Sequence, residues 1–127
     1  MSSPDGAIRG GRAPAPPSAR ARATLDRRAG VFAALGDPTR LHVVAVLCAG
    51  GALSIAELTA GTALTRQGVT KHLEVLADAG LVRDVRVGRE RRWQLEPAPL
   101  ADARRSLDAY AERWDRALEG LKASLER

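Results

Sequence analysis

Apolar residues recur every three or four positions between residues 65 and 80, a spacing that predicts an amphipathic helix. Val69, Leu73 and Leu76 form its apolar stripe. Hydrogen-bonding side chains occupy another face, mostly in the first two turns: Arg66, Gln67, Thr70 and Lys71. A threonine precedes the helix as a suitable N-cap and a glycine follows it as a suitable stop. We therefore predict a helix over residues 65–79 with one buried and one polar face.

Similar signals predict three helices upstream. Apolar positions favour a helix over Thr24–Leu35. A second helix is predicted over Pro38–Ala49, because Asp37 can cap it and proline suits the first helical position. It is apolar over much of its girth, so we expect it to be central and buried. A third helix, Ser54–Ala60, opens with the serine and glutamate of a capping box.

A short turn, Gly61–Leu64, joins the third helix to the helix of residues 65–79. Two helices joined in this way, the second with a polar donor face, are typical of a DNA-binding helix-turn-helix. Arginine, glutamine, threonine and lysine side chains donate hydrogen bonds to base edges and phosphates. The alternative is an ordinary amphipathic surface helix, which the short turn makes less favoured. His72 lies between the two faces and suits either a phosphate contact or a packing role.

The apolar period changes to two after Gly80, which predicts a β-hairpin over residues 81–96 with a turn at Gly88. Five arginines crowd into it: Arg83, Arg86, Arg89, Arg91 and Arg92. A hairpin after a recognition helix is a wing, and its basic side chains suit phosphates or the neighbouring minor groove. The alternative is a solvated arginine-rich hairpin.

A long helix is predicted over Leu100–Glu126. Its large apolar residues are three or four positions apart and form one narrow seam: Leu107, Tyr110, Trp114, Leu118, Leu121 and Leu125. Such a helix is roughly 40 Å long, more than a small domain requires. We therefore predict pairing with a second copy; the alternative is packing back on the first helix.

Composition supports a polyanionic partner. The chain has a formal net charge of +5, which favours nucleic acid. Residues Met1–Arg22 are rich in Pro, Gly, Ala and Arg and nearly lack large apolar residues, so we predict a disordered basic arm. This arm is suited to a phosphate backbone or a minor groove, or is an inert tail.

Other function classes lack their signatures. We find no membrane span and no signal core, and the single cysteine, Cys48, excludes an intramolecular disulfide. A cytoplasmic location and no membrane partner are expected. Cys48 is predicted to be a small core residue rather than a redox switch. Paired carboxylates, phosphate loops and nucleophile elbows are missing, which argues against an enzyme.

Four segments resemble the ArsR/SmtB family of bacterial winged-helix regulators. They are Phe32–Leu41, Leu53–Leu58, Leu64–Val82 and Val87–Leu95. Together with the last helix, the resemblance covers residues 24–127. It implies a homodimer whose interface joins the first helix, through Leu25 and Phe32, to the last. It also implies two recognition helices in successive major grooves of a palindrome.

The sequence departs from the metal-sensing members of that family. Their Cys-x-Cys pair corresponds here to Ser54 and Ala56, neither of which supplies a thiolate. The last helix lacks histidine, and the chain has only His42 and His72, too few for a Cys/His site. We therefore predict no regulatory metal and no cofactor, as in the metal-free branch of the family. Its members often repress their own and adjacent genes, and their effectors vary.

The sequence thus predicts a mainly α fold with a small β-hairpin: a dimeric winged helix-turn-helix with a long C-terminal dimerisation helix. Residues 1–22 form the arm, 23–96 the DNA-binding domain and 97–127 the dimerisation helix. We expect a homodimeric repressor that binds double-stranded DNA sequence-specifically through Arg66, Gln67, Thr70, Lys71, His72, Arg86, Arg89, Arg91 and Arg92. One alternative is a dimeric protein-interaction module; another is a repressor that senses a small molecule or redox state at the dimer interface.

Overall fold

Over residues 14–126, which the computed structural model describes, five helices accompany one two-stranded antiparallel sheet. In chain order the elements are α1 (Ala19–Leu35), α2 (Pro38–Gly50), α3 (Ile55–Thr62), α4 (Arg66–Asp78), β1 (Val82–Val87), β2 (Glu90–Leu95) and α5 (Pro97–Leu125). The predicted fold class and the order of its elements agree with this arrangement.

Side-chain caps fix where the central helices begin. Asp37 accepts a backbone N–H from the first turn of α2. The predicted capping box opens α3, with the Ser54 N–H donating to Glu57 at 2.9 Å and the Glu57 N–H donating to Ser54 at 3.1 Å. Thr65 accepts from the Gly68 N–H at 3.0 Å and opens α4. These bonds satisfy amides that a helix start otherwise leaves without partners.

The core lies where α1 to α4 meet the hairpin. Its most deeply buried side chains are Val43, Leu47, Leu58, Val69, Leu73, Leu76 and Leu81. Val82 and Trp93, on the two strands, close it from the side of the hairpin. Because α4 contributes three of these residues, the core holds the helix in one orientation.

The hairpin is fixed at its base and free at its tip. Its register runs from Val82 opposite Leu95 to Val87 opposite Glu90. At the base, Leu53 exchanges two backbone hydrogen bonds with Trp93, of 2.9 and 2.7 Å. The two-residue turn after Val87 starts with a glycine at φ +66°, a conformation that costs glycine little.

The last helix packs on the domain only through its first turns. Arg28 of α1 makes a bidentate ion pair with Asp102 of α5, at 2.9 and 3.2 Å. Ala103 and Ser106 are buried there. Every residue from 107 to 126 is exposed. About 30 Å of helix is therefore largely uncovered by the rest of residues 14–126.

Helix α1 begins at Ala19, earlier than the predicted Thr24. The Ser18 hydroxyl caps it by accepting the Ala21 N–H at 3.1 Å, and alanine and arginine are good helix formers. The prediction of a disordered arm was therefore wrong for residues 19–22. Residues 1–13 of that arm lie outside the described residues.

Two other boundaries differ from prediction. Helix α3 continues to Thr62, whose buried hydroxyl donates to the Leu58 carbonyl at 2.7 Å. It ends at Ala63, in the left-handed region at φ +58°, so the turn starts two residues later than predicted. Helix α5 begins at Pro97 rather than Leu100, because proline fits the first helical turn.

Helix α2 is buried on one side only, so its predicted central burial was wrong for the other side. Val43, Val44 and Leu47 face the core, whereas Leu41 is 52% exposed and Cys48 is exposed. Residues 41 and 48 are seven positions apart and so lie on one stripe of α2, beside the buried face. Cys48 is therefore a surface residue, not the core residue that composition suggested. Within residues 14–126 no single helix has the length and apolarity of a membrane span; α1 and α2 reach them only jointly, across a 91° bend.

Candidate nucleic-acid interface

The helix-turn-helix consists of α3, the turn of residues 63–65, and α4. Val69, Leu73 and Leu76 of α4 are fully buried. The opposite side of the helix, which bears the predicted contact residues, therefore faces outwards.

The structure brings the four predicted base-contacting residues together at the start of α4. Arg66, Gln67 and Lys71 are exposed, and their side chains have no hydrogen bond or ion pair within residues 14–126. Thr70 is half-buried, and its hydroxyl donates to the Arg66 carbonyl at 2.9 Å. That hydroxyl can still accept a hydrogen bond, and threonine also suits the methyl group of a thymine.

His72 lies apart from this group. It is half-buried on the side of α4 that faces the start of α2. The pKa of Asp37 is lowered mainly by the backbone N–H of Arg40, and further by the charges of Arg40 and His72. Of the two roles left open for His72, this position favours packing.

The exposed face of α4 continues into two acids that the sequence analysis did not assign. Glu74 and Asp78 follow the donors on the same side and are exposed. The 3.6-residue period applied to Gln67 would have placed them there. The polar face is therefore cationic in its first two turns and anionic in its last two.

Two arginines of the hairpin face each other across its strands. Arg86 lies directly opposite Arg91 in the strand register. Arg91 pairs with Asp84 at 2.8 Å and places its guanidinium 4.8 Å from the centre of the Trp93 ring. Arg86 has no ion pair within the described part of the chain. Like charges on opposing strand positions repel. Asp84 compensates the charge of Arg91, so Arg86 is the one of the two that lacks an acidic partner within residues 14–126.

Arg89 occupies the two-residue turn at the tip. Its side chain is exposed and lacks an ion pair within residues 14–126. Its sequence neighbour Glu90 pairs with Arg92 instead. The tip therefore presents an uncompensated positive charge.

Arg92 and Arg83 are bound within the domain. Arg92 donates to the Ala52 carbonyl at 3.1 Å and to Glu90 at 2.7 Å, and lies 3.6 Å from Glu57. Its pKa is raised mainly by the hydrogen bond to Glu90. Arg83 pairs with Glu96. Arg92, predicted as a DNA contact, thus ties the hairpin to the loop before α3.

The predicted dimer contacts are apolar side chains that the domain leaves exposed or half-buried. Leu25 is 45% exposed on α1, and the seam residues of α5 are 42–76% exposed. Phe32 is half-buried and lines a groove of about 500 Å³ with Leu35, Leu41, Leu100 and Leu107. Because Leu107 belongs to both groove and seam, the two are continuous.

Known proteins share both the helix-turn-helix and the surrounding fold. A family model described as a helix-turn-helix domain matches residues 35–85. The HTH-type transcriptional regulator Rv2034 of Mycobacterium tuberculosis is 42% identical over 87 residues, which cover 68% of this chain and 78% of that protein.

Solved structures extend the similarity. An ArsR-like transcriptional regulator from Rhodococcus sp. RHA1 has a TM-score of 0.70 at 37% identity, covering 79% of this chain and 93% of that one. The homodimeric winged helix-turn-helix DNA-binding domain of a possible ArsR-family regulator from Mycobacterium bovis has a TM-score of 0.59 at 26% identity, covering 81% and 92%.

These similarities confirm the predicted winged helix-turn-helix and the expectation of a regulator rather than an enzyme. The family model spans α3 and α4, and the Rhodococcus structure matches 79% of the chain. The chain belongs to the ArsR family of DNA-binding, winged helix-turn-helix transcriptional regulators.

Proposed function

We propose that this protein is a homodimeric repressor that binds a palindromic operator at its own or adjacent genes, in the cytoplasm, without a regulatory metal ion. One observation carries the proposal. The first two turns of α4 present Arg66, Gln67 and Lys71 without partners within residues 14–126, beside a hairpin whose tip is also basic. Such a surface has unsatisfied donors for base edges and phosphates together.

The exposed donors divide by position into two roles. Arg66, Gln67, Thr70 and Lys71 contact base edges in the major groove. Arg86, Arg89 and Arg91 hold phosphates or enter the minor groove beside it. Arg92 is 29% exposed and held by the Ala52 carbonyl and Glu90, whereas Arg91 is 56% exposed. We therefore assign Arg92 to positioning the hairpin and the half-buried His72 to positioning α4, rather than to contacting DNA.

The uncovered seam of α5 supports a homodimer. Trp114, Leu121 and Leu125 are 66%, 57% and 76% exposed, and six such side chains in line favour burial against another helix. A two-fold axis makes the same seam available on both copies, and we assign the exposed Leu25 of α1 to the same interface. The homodimeric relative from M. bovis supports this arrangement. Two α4 helices then suit half-sites about 34 Å apart.

Side-chain chemistry supports a repressor without metal at the position of the Cys-x-Cys pair. The Ser54 hydroxyl is occupied as the cap of α3, and Ala56 has no donor atom. A soft divalent ion requires thiolate or imidazole ligands. Metal-independent DNA binding in the presence and absence of Zn²⁺ would agree with this part of the proposal.

The decisive experiment compares binding to the gene's own upstream DNA with binding to random DNA. Fluorescence anisotropy over a range of salt concentrations gives the affinity and the salt slope, and light scattering gives the stoichiometry. We expect one dimer per palindrome and at least about a 1,000-fold preference over random DNA. Equal affinity for both DNAs would reject this operator, and salt-insensitive binding near background would favour an interaction module.

Variants separate the roles within that experiment. Arg66→Ala or Gln67→Ala should change base preference by about 1–3 kcal/mol, whereas Arg89→Ala should weaken all sequences alike and flatten the salt slope. A chain ending at Arg113 lacks most of the seam and should be monomeric with weak operator binding. Two results would contradict these assignments. One is that the α4 variants and Arg89→Ala lose the same affinity on every DNA sequence; the other is that the truncated chain is dimeric and binds the operator fully.

A further inference from the structure

Glu74 lies on the same side of α4 as the base-contacting donors. With 100° per residue and 1.5 Å rise, it is within roughly 20° of Gln67 around the axis and about 10 Å farther along. Its side chain is exposed and has no ion pair or hydrogen bond within residues 14–126. A carboxylate is therefore exposed on the surface that faces a polyanion.

An unpaired carboxylate near phosphates weakens binding unless it meets a hydrogen-bond donor. In the major groove those donors are the exocyclic amino groups of cytosine and adenine. Adenine also presents the N7 acceptor beside its amino group, which repels a carboxylate, while guanine and thymine present acceptors there. Cytosine N4 is therefore the base-edge group that best matches a carboxylate.

Distance distinguishes Glu74 from the second acid of this face. The major groove is about 12 Å wide. Glu74, about 10 Å from Gln67 along the helix, stays within that width, whereas Asp78 is about 16 Å away, at the last residue of α4. Asp78 shares the charge, exposure and face of Glu74 but lies beyond reach of the bases.

We propose that Glu74 is a specificity-determining residue that accepts a hydrogen bond from the N4 amino group of one cytosine in each half-site. This assignment rests on the proposed entry of α4 into the major groove. A separation of about 10 Å spans at most about three base pairs at 3.4 Å each, so the cytosine lies between the pair that Gln67 contacts and the third pair from it.

The replacement Glu74→Gln changes the hydrogen-bonding capacity with little change in shape. A glutamine amide both donates and accepts, and it matches adenine N6 and N7. The preferred base at this position should change from cytosine to adenine, with about a 10-fold change in relative affinity. Glu74→Ala should lose the preference. Asp78→Asn removes the same charge and should leave the preferred base unchanged.

The test uses the full-length protein and these three variants. Each selects binding sites from a randomised duplex library, and anisotropy at one salt concentration then measures four duplexes that differ only at the assigned position. Matching thermal unfolding midpoints would verify that the variants fold. A change from cytosine to adenine in Glu74→Gln, with Asp78→Asn like the wild type, supports the assignment.

Two results would overturn it. If Glu74→Gln binds all four duplexes more tightly by the same factor, the carboxylate only repels phosphates, and the proposed repressor function is unaffected. If the wild type selects no palindrome, the proposed function fails and this assignment fails with it.

Discussion

Helices α4 and α5 have similar leucine patterns but opposite environments. In α4, Leu73 and Leu76 are fully buried, because α1, α2, α3 and the hairpin surround them. In α5, Leu118 and Leu121 are 46% and 57% exposed, because only the first turns of the helix meet α1. Leucines spaced three and four residues apart therefore specify an apolar helix face that is stabilised by burial against other apolar side chains. It does not specify whether the same chain or a second copy supplies that cover.

Replacing one leucine by alanine in each helix should give the largest difference between the buried face of α4 and the exposed seam of α5. Leu73→Ala should lower the free energy of unfolding by about 2–5 kcal/mol at every protein concentration, because it leaves a cavity in the core. Leu121→Ala should change the stability of the monomer by less than about 0.5 kcal/mol. It should instead raise the dimer dissociation constant.

Urea unfolding at several protein concentrations, together with sedimentation equilibrium, separates the two cases. A loss that depends on a partner diminishes upon dilution, whereas a loss within the chain does not. A concentration-independent loss for Leu121→Ala, equal to that for Leu73→Ala, would mean that the seam packs on its own domain.

Arg92 and Arg89 extend the contrast to the hairpin, with a smaller expected effect. Arg92→Ala removes the hydrogen bonds to Ala52 and Glu90 and should lower the thermal unfolding midpoint. Arg89→Ala should leave the midpoint unchanged and reduce the salt slope by about 1 per protomer bound. Thermal unfolding and salt-titrated anisotropy on the same preparations measure both. Identical effects of the two replacements on both properties would refute the division.

The smallest effect is expected for the ion pair between Arg28 and Asp102, which should contribute less to stability in acid. Hydrogen bonds from Arg28 hold the pKa of Asp102 below its ordinary value, with help from the charges of Arg28, Arg105 and Arg27. The charged carboxylate therefore stabilises the fold above the ordinary carboxyl pKa of about 3.9. That contribution is lost as the pH falls through the lower folded-state pKa.

Asp102→Asn should accordingly be less stable than the wild type at pH 7. The difference should shrink as the pH falls below about 4. Urea midpoints at pH 7, 4 and 3 test this. A constant difference across that range would show that Asp102 contributes through packing rather than through its charge.

Local signals predicted the parts of the molecule that depend on near neighbours in sequence. The capping box at Ser54, the start of α4 after Thr65 and the hairpin turn at Gly88 each involve atoms within a few residues. Periodicity also identified the buried stripe of α4 and the seam of α5. The grouping of Arg66, Gln67, Thr70 and Lys71 followed from the same helical period.

Tertiary structure decided what depends on contacts between distant segments. Composition made α2 look buried all round, but the core touches one side and leaves Cys48 exposed. The arginines of the hairpin look equivalent in sequence, yet Arg92 reaches Ala52, forty residues away, and Arg89 does not. The tertiary structure also showed that the Glu74 carboxylate is exposed and has no partner within residues 14–126.

The sequence by itself determined the helices, their caps, the wing and the family resemblance, because backbone hydrogen bonding and helical period act over a few residues. Only the tertiary structure decided which apolar face is covered and which charges are already paired. Burial and ion pairing depend on contacts between different elements. The residue pattern along one helix or strand does not show which other elements pack against it.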